Sequence, residues 1–232
     1  MYEVERDAVK YWKQSGVRIA CLGLENQTAP DPYMALRALA YDGASYRTQL
    51  RKSNKDKPKF PVATLVLYFG YEKRWDKPIT LHDTFDIPKE LKTLVPDYKV
   101  NLFEIAWLDE DTVKLFHSDF RVVADYFVQK RKNGNYVPSS FVMDHVEEVM
   151  DLLSVMEQDD RFKVMYREAE KAGGANTMCD VIDNAINRGK QAQATETVDR
   201  MLAMGVFTNE QIAEGVGVTL EFVLERAGQK AV

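Results

Sequence analysis

Two carboxylates and an amide are the residues whose types and spacing could do chemistry: Asp7, then Glu25 and Gln27 on a following segment. Residues 19–24 are apolar and β-compatible, and they end abruptly in Glu25-Asn26-Gln27. A buried strand that delivers a carboxylate and an amide at its carboxyl end places metal-binding chemistry at the rim of a sheet. The segment carrying Asp7 turns back through Gln14-Ser15-Gly16, which predicts a hairpin that brings Asp7 beside Glu25. Two carboxylates around one position are the minimum for a hard cation such as Mg²⁺, which takes oxygen ligands and keeps several waters. Residue types and spacing alone are met more simply by an edge strand starting at Asp7 and a polar strand end at residues 25–27.

The elements that must position these residues follow in order. Thr28 or Asp31 is placed to cap a helix, with Pro30 and Pro32 near its first turn. Arg37, Tyr41, Arg47 and Arg51 lie along or beside one face of that helix. Arg37 could hold a scissile phosphate through charge-assisted hydrogen bonds, or pair with Asp42 or another carboxylate at the core edge. Residues 52–59 form a polar, basic loop, read as a solvated connector in preference to a cationic edge. Residues 61–70 make the strongest strand, apolar enough to be covered on both faces and to pair beside the Glu25 strand in a mixed sheet. Residues 98–105 alternate as a strand with one exposed face, and residues 108–116 read as a short helix begun by Asp109-Glu110-Asp111.

The ordered blocks resemble a known family. They are Asp7, Glu25-Asn26-Gln27, Asp31-Pro32-Tyr33, Tyr41-Asp42-Gly43, Val66-Leu67-Tyr68-Phe69-Gly70, Leu102-Phe103-Glu104 and Ser118-Asp119-Phe120-Arg121. Together they resemble the recombination-promoting nuclease (Rpn) / putative transposase family of the PD-(D/E)XK nuclease superfamily. The resemblance implies a restriction-endonuclease-like α/β fold, a mixed sheet flanked by helices, and cleavage of DNA. It implies Asp7 and Glu25 as Mg²⁺ ligands, with Gln27 where many relatives carry a catalytic lysine. Gln27 cannot titrate, so it would position water or phosphate by hydrogen bonds. Relatives also carry a helix and a strand ahead of the Asp-bearing strand. Met1 lies six residues before Asp7, so these two elements are expected to be missing.

Composition sets outer bounds. The 232 residues suit one medium domain or a domain with an appendage, and the net charge of −5 argues against a protein-wide nucleic-acid footprint while leaving room for a local basic cleft. Cys21 reads as a buried strand thiol, and neither it nor Cys179 has zinc-like spacing. His82, His117 and His145 read as structural or surface residues. No segment has the length and apolarity of a membrane span and no signal peptide is evident, so a cytoplasmic location is expected.

From residue 118 the chain reads as helical. One amphipathic stripe carries Phe120, Val123, Ala124 and Phe127, and a second helix is expected over residues 139–156, both packing on the sheet. Small residues around 170–175 suggest a hinge, which divides a nuclease-like domain, 1–170, from a helical tail, 171–232. The tail reads as a helix over 178–190, another from 195, and a helix-turn-helix-like end with Thr208 and Gln211 as a capping box. Its last helix exposes acid rather than the Arg, Lys, Asn or Gln that reads bases, so docking or homo-oligomer formation is expected there before DNA reading. Three functions remain open on the sequence: a Mg²⁺-dependent DNA endonuclease, a non-cutting relative that binds nucleic acid or protein, and an assembly module.

Overall fold

The structure, a computed structural model, describes residues 8–14, 17–51 and 54–229, with the side chains of residues 8–26 and 229 excepted. Strand β1 (Ala8–Gln14) pairs antiparallel with β2 (Val17–Gln27), from Ala8 opposite Leu24 to Gln14 opposite Val17. The expected hairpin is present. Helix α1 (Met34–Gln49) then crosses to β3 (Val62–Tyr68), which runs parallel to β2. A parallel pair cannot be joined by a tight turn, and α1 supplies the crossover. The short helix α2 (Leu81–Thr84) precedes β4 (Asn101–Glu104), parallel to β3. The result is a mixed four-stranded sheet in the order β1-β2-β3-β4, an α/β architecture.

Alternation along β3 decides what packs on it. Val62, Thr64, Val66 and Tyr68 are buried, and Val66 joins Met34, Ala35, Ala38 and Tyr41 of α1 with Leu81 and Val100 in one apolar cluster. The intervening residues Ala63, Leu65 and Leu67 are only half-buried. The strand is therefore fully covered on one face, not on both as its uniform apolarity predicts. Asp42 on α1 is buried, and its carboxylate accepts hydrogen bonds from the Thr64 and Tyr98 hydroxyls, each at 2.7 Å. A buried carboxylate costs several kcal/mol unless bonded, on the order of 1–3 for each unmade bond. These two donors compensate it.

The start of α1 differs from expectation. Tyr33 is its N-cap and no side chain caps the helix. Asp31 instead accepts from the Tyr33 N–H at 2.8 Å and from Arg37 at 2.6 Å, so the ion pair takes the carboxylate that a cap would need. Helix α3 (Glu110–Lys114) does begin with its aspartate: Asp109 accepts from the Thr112 N–H and hydroxyl, which hold its carboxyl below the ordinary range. Helix α4 (Phe120–Asn133) ends on Gly134 at φ +65°, a left-handed conformation suited to glycine. Its Phe127 ring lies 5.1 Å from Phe69, just past the end of β3.

The chain divides into two compact units, Met1–Val137 and Pro138–Val232. The second is helical: α5 (Val146–Glu157), α6 (Arg161–Lys171), α7 (Met178–Met204), α8 (Asn209–Val216) and α9 (Leu220–Gln229). The helix expected over 139–156 begins only at Val146, after an irregular approach from Pro138. Helix α6 has no counterpart in the sequence reading, and the two helices expected over 178–204 are one. The composition shift near 170 coincides with the turn between α6 and α7, where Gly173 and Gly174 have φ of +118° and +92°. The capping box of Thr208 and Gln211 is present in full. Val198, Ile212, Ala213 and Val223 form the core that joins α7, α8 and α9.

Ile212 is fully buried in that core. Ile212→Ala is expected to destabilise by about 2–5 kcal/mol, and Thr208→Ala by about 1 kcal/mol through the lost cap. Urea denaturation followed by circular dichroism reads both.

Candidate functional site

The carboxyl ends of β2, β3 and β4 lie side by side. Gln27 is opposite Tyr68, and Tyr68 is opposite Glu104, so the three residues form one row across three parallel strands. Two positions back, Glu25 is opposite Val66. In open α/β sheets the crevice outside the carboxyl ends of the strands is where ligands bind.

Tyr68 and Glu104 fix the loop that follows β3. Tyr68 is buried, and its hydroxyl donates to the Lys73 carbonyl at 3.0 Å, while burial pushes its ionisation above the ordinary tyrosine range. Its ring lies against Gly70 so closely that a Cβ there would fall 2.1 Å from the hydroxyl oxygen. The Trp75 ring stands edge-on to it at 5.4 Å. The Glu104 carboxylate accepts from the Trp75 backbone N–H at 2.9 Å and from Arg74 at 3.1 Å. Within the loop, Lys73 and Asp76 pair at 3.0 Å, which raises the lysine and lowers the aspartate from their ordinary values.

Of the residues expected to do chemistry, Asp7 lies outside the described residues, and Glu25 is placed by its backbone alone. Gln27 is half-buried at the end of β2, where its carbonyl accepts from the Phe69 N–H at 2.8 Å. Arg37 pairs with Asp31 rather than Asp42, and it donates to the Tyr41 hydroxyl at 3.2 Å. Burial works against its charge, but the bonds to Asp31 and Tyr41 outweigh it and hold the guanidinium protonated more firmly than usual. His82 is structural, bonded to the Val95 carbonyl at 2.8 Å. Among the described residues, no three His, Cys, Asp or Glu side chains cluster as a metal site, and no helix is long and apolar enough to cross a membrane.

The family model described as putative transposase, YhgA-like, matches residues 15–161, more than half of the chain. The chain belongs to that family. The matched span includes Glu25, Gln27, Arg37 and Glu104 and begins after Asp7. No curated protein and no solved structure matches the chain.

Sequence reasoning did not single out Glu104, Arg74 or Gly70 as parts of the site. Glu104 carries the same signal as Glu25, an acid closing an apolar strand, but its work is to hold the neighbouring loop.

Two substitutions test this arrangement. Gly70→Ala is expected to destabilise by about 1–3 kcal/mol, because the buried Tyr68 ring must move to make room; a thermal melt reads it. Glu104→Ala leaves the Trp75 N–H without its acceptor at a cost of about 1–3 kcal/mol. Glu104→Gln keeps an acceptor oxygen and should cost less in the same melt.

Proposed function

We propose that the chain is a Mg²⁺-dependent DNA endonuclease on a restriction-endonuclease-like frame, hydrolysing phosphodiester bonds in the cytoplasm and promoting recombination. The observation that carries this reading is the position of Glu25-Asn26-Gln27 at the carboxyl end of β2, an interior strand, in a chain of a transposase family. The donors assigned to the metal are the Asp7 and Glu25 carboxylates, with the Asn26 carbonyl as a third. All are oxygens, the donor chemistry that Mg²⁺ requires. When bound, the ion would make water a stronger nucleophile and offset charge on the phosphate.

The chain's own residues take the remaining roles. Gln27 holds the attacking water or a phosphate oxygen by hydrogen bonds and takes no proton, since an amide does not titrate in the working range. Arg37 is the cation assigned to the scissile phosphate; its bonds to Asp31 and Tyr41 restrict its orientation and secure its charge. A non-cutting relative that still holds DNA is the second reading, favoured by Gln27 where a lysine would supply a titrating group.

The test is nicking of supercoiled plasmid with and without Mg²⁺. The parent should nick only with the ion, and Glu25→Gln or Asp7→Asn should reduce the rate on the order of 100-fold or more, beyond the loss typical of residues that merely support metal ligands. Plasmid retained without nicking by the parent identifies the second reading. Nicking unchanged in both variants overturns the carboxylate assignment.

A further inference from the structure

The loops leaving β3 and β4 carry a second feature that the proposed chemistry does not use. Trp107, in the 3₁₀ turn Ile105–Trp107, donates its indole N–H to the Gly70 carbonyl at 3.0 Å, which fixes the ring. The Arg74 guanidinium lies 4.9 Å from the ring centre, and that of Arg131 on α4 lies 4.8 Å from it. On the preceding position of α4, the Lys130 ammonium sits 4.4 Å from the Tyr71 ring and 5.7 Å from Tyr126. Three cations from two separate segments are thus gathered on aromatic rings in a chain whose net charge is −5.

These contacts set the orientation of long side chains in advance, which lowers the entropy that a binding event would otherwise cost. Arg131 is further anchored by its Nε bond to the Ala106 carbonyl at 2.7 Å. The Arg74 side chain stays 64% exposed and uses one terminal amino group on Glu104, out of the five N–H donors a guanidinium carries. The rings are already occupied by cations, so they serve to hold charge rather than to stack bases. That arrangement suits phosphates, which fix a strand's path without reading its sequence.

We propose that Arg74, Lys130 and Arg131, held on Trp107 and Tyr71, form a contact surface for the phosphate backbone of duplex DNA beside the carboxyl ends of β3 and β4. The proposal rests on the nuclease reading for its ligand and adds the surface that holds it. Glu104 links the two: it ends β4 in the row with Gln27 and Tyr68, and it binds Arg74.

The test is binding of a fluorescently labelled duplex, read by anisotropy in EDTA over a series of KCl concentrations, so that binding is measured without cleavage. The Arg74→Gln, Arg131→Gln double variant should lose roughly 10-fold or more in affinity, and the slope of log K against log salt should fall by about 2, one phosphate contact for each arginine. Arg74→Gln alone, at an exposed position, should lower the slope by about 1 with an unchanged melting temperature, whereas Arg74→Lys should keep it. A structural role alone would leave the slope where it is. A folded double variant with the parent's affinity and slope overturns the surface and leaves plasmid nicking to judge the nuclease reading. A parent that does not bind the duplex also overturns the surface.

Discussion

The Tyr68 ring lies where a side chain at Gly70 would begin, so only a hydrogen at Gly70 lets the ring lie where it does. The carboxyl ends of the parallel strands are organised around this contact. With the ring in place, its hydroxyl reaches the Lys73 carbonyl and its edge meets Trp75, so the chain folds back over the end of β3. That return brings the Trp75 N–H and Arg74 to Glu104 at the end of β4. Gly70 serves a second time through its carbonyl, which accepts the Trp107 indole N–H.

The two units divide the physical work. The first combines a mixed sheet with one well-covered face and a rim of polar groups, the arrangement in which a reacting group can be held by rigid elements. The second is made of helices packed through apolar side chains, with capping boxes at the starts of α7 and α8. Its last helix carries a single cation, Arg226, which is engaged with Asp199 of α7. That pairing agrees with the acidic character of the helix.

Much of the frame was legible because it depends on short-range pattern. The hairpin and the central strand of residues 62–68 follow from short apolar runs with turn residues or loops at their ends, the start of α3 from acids that suit a helix amino end, and the capping box from a threonine three residues ahead of its glutamine. What was not legible depends on distant partners. Asp31 was read as a cap because nothing local says that Arg37 will take its carboxylate. The half-covered face of β3 could not be told from a fully covered one, since both sides of the strand are apolar. The helix expected over 178–190 and the one expected from 195 are a single helix, α7, which runs on through the polar stretch between them. At the rim, the pairing of Glu104 with Arg74 spans thirty positions, and the gathering of Arg74 and Arg131 on Trp107 joins segments with no common motif. The acids at 7 and 25 came from family resemblance more than from spacing.

The proposed nuclease chemistry requires one divalent ion shared by Asp7 and Glu25, and the most direct measurement is where such an ion sits. Crystals soaked in Mn²⁺ as a stand-in for Mg²⁺, with anomalous diffraction recorded, should show a single strong peak between the carboxylates of Asp7 and Glu25, absent from crystals of Glu25→Gln. A peak elsewhere, or one that persists in the variant, would contradict the account.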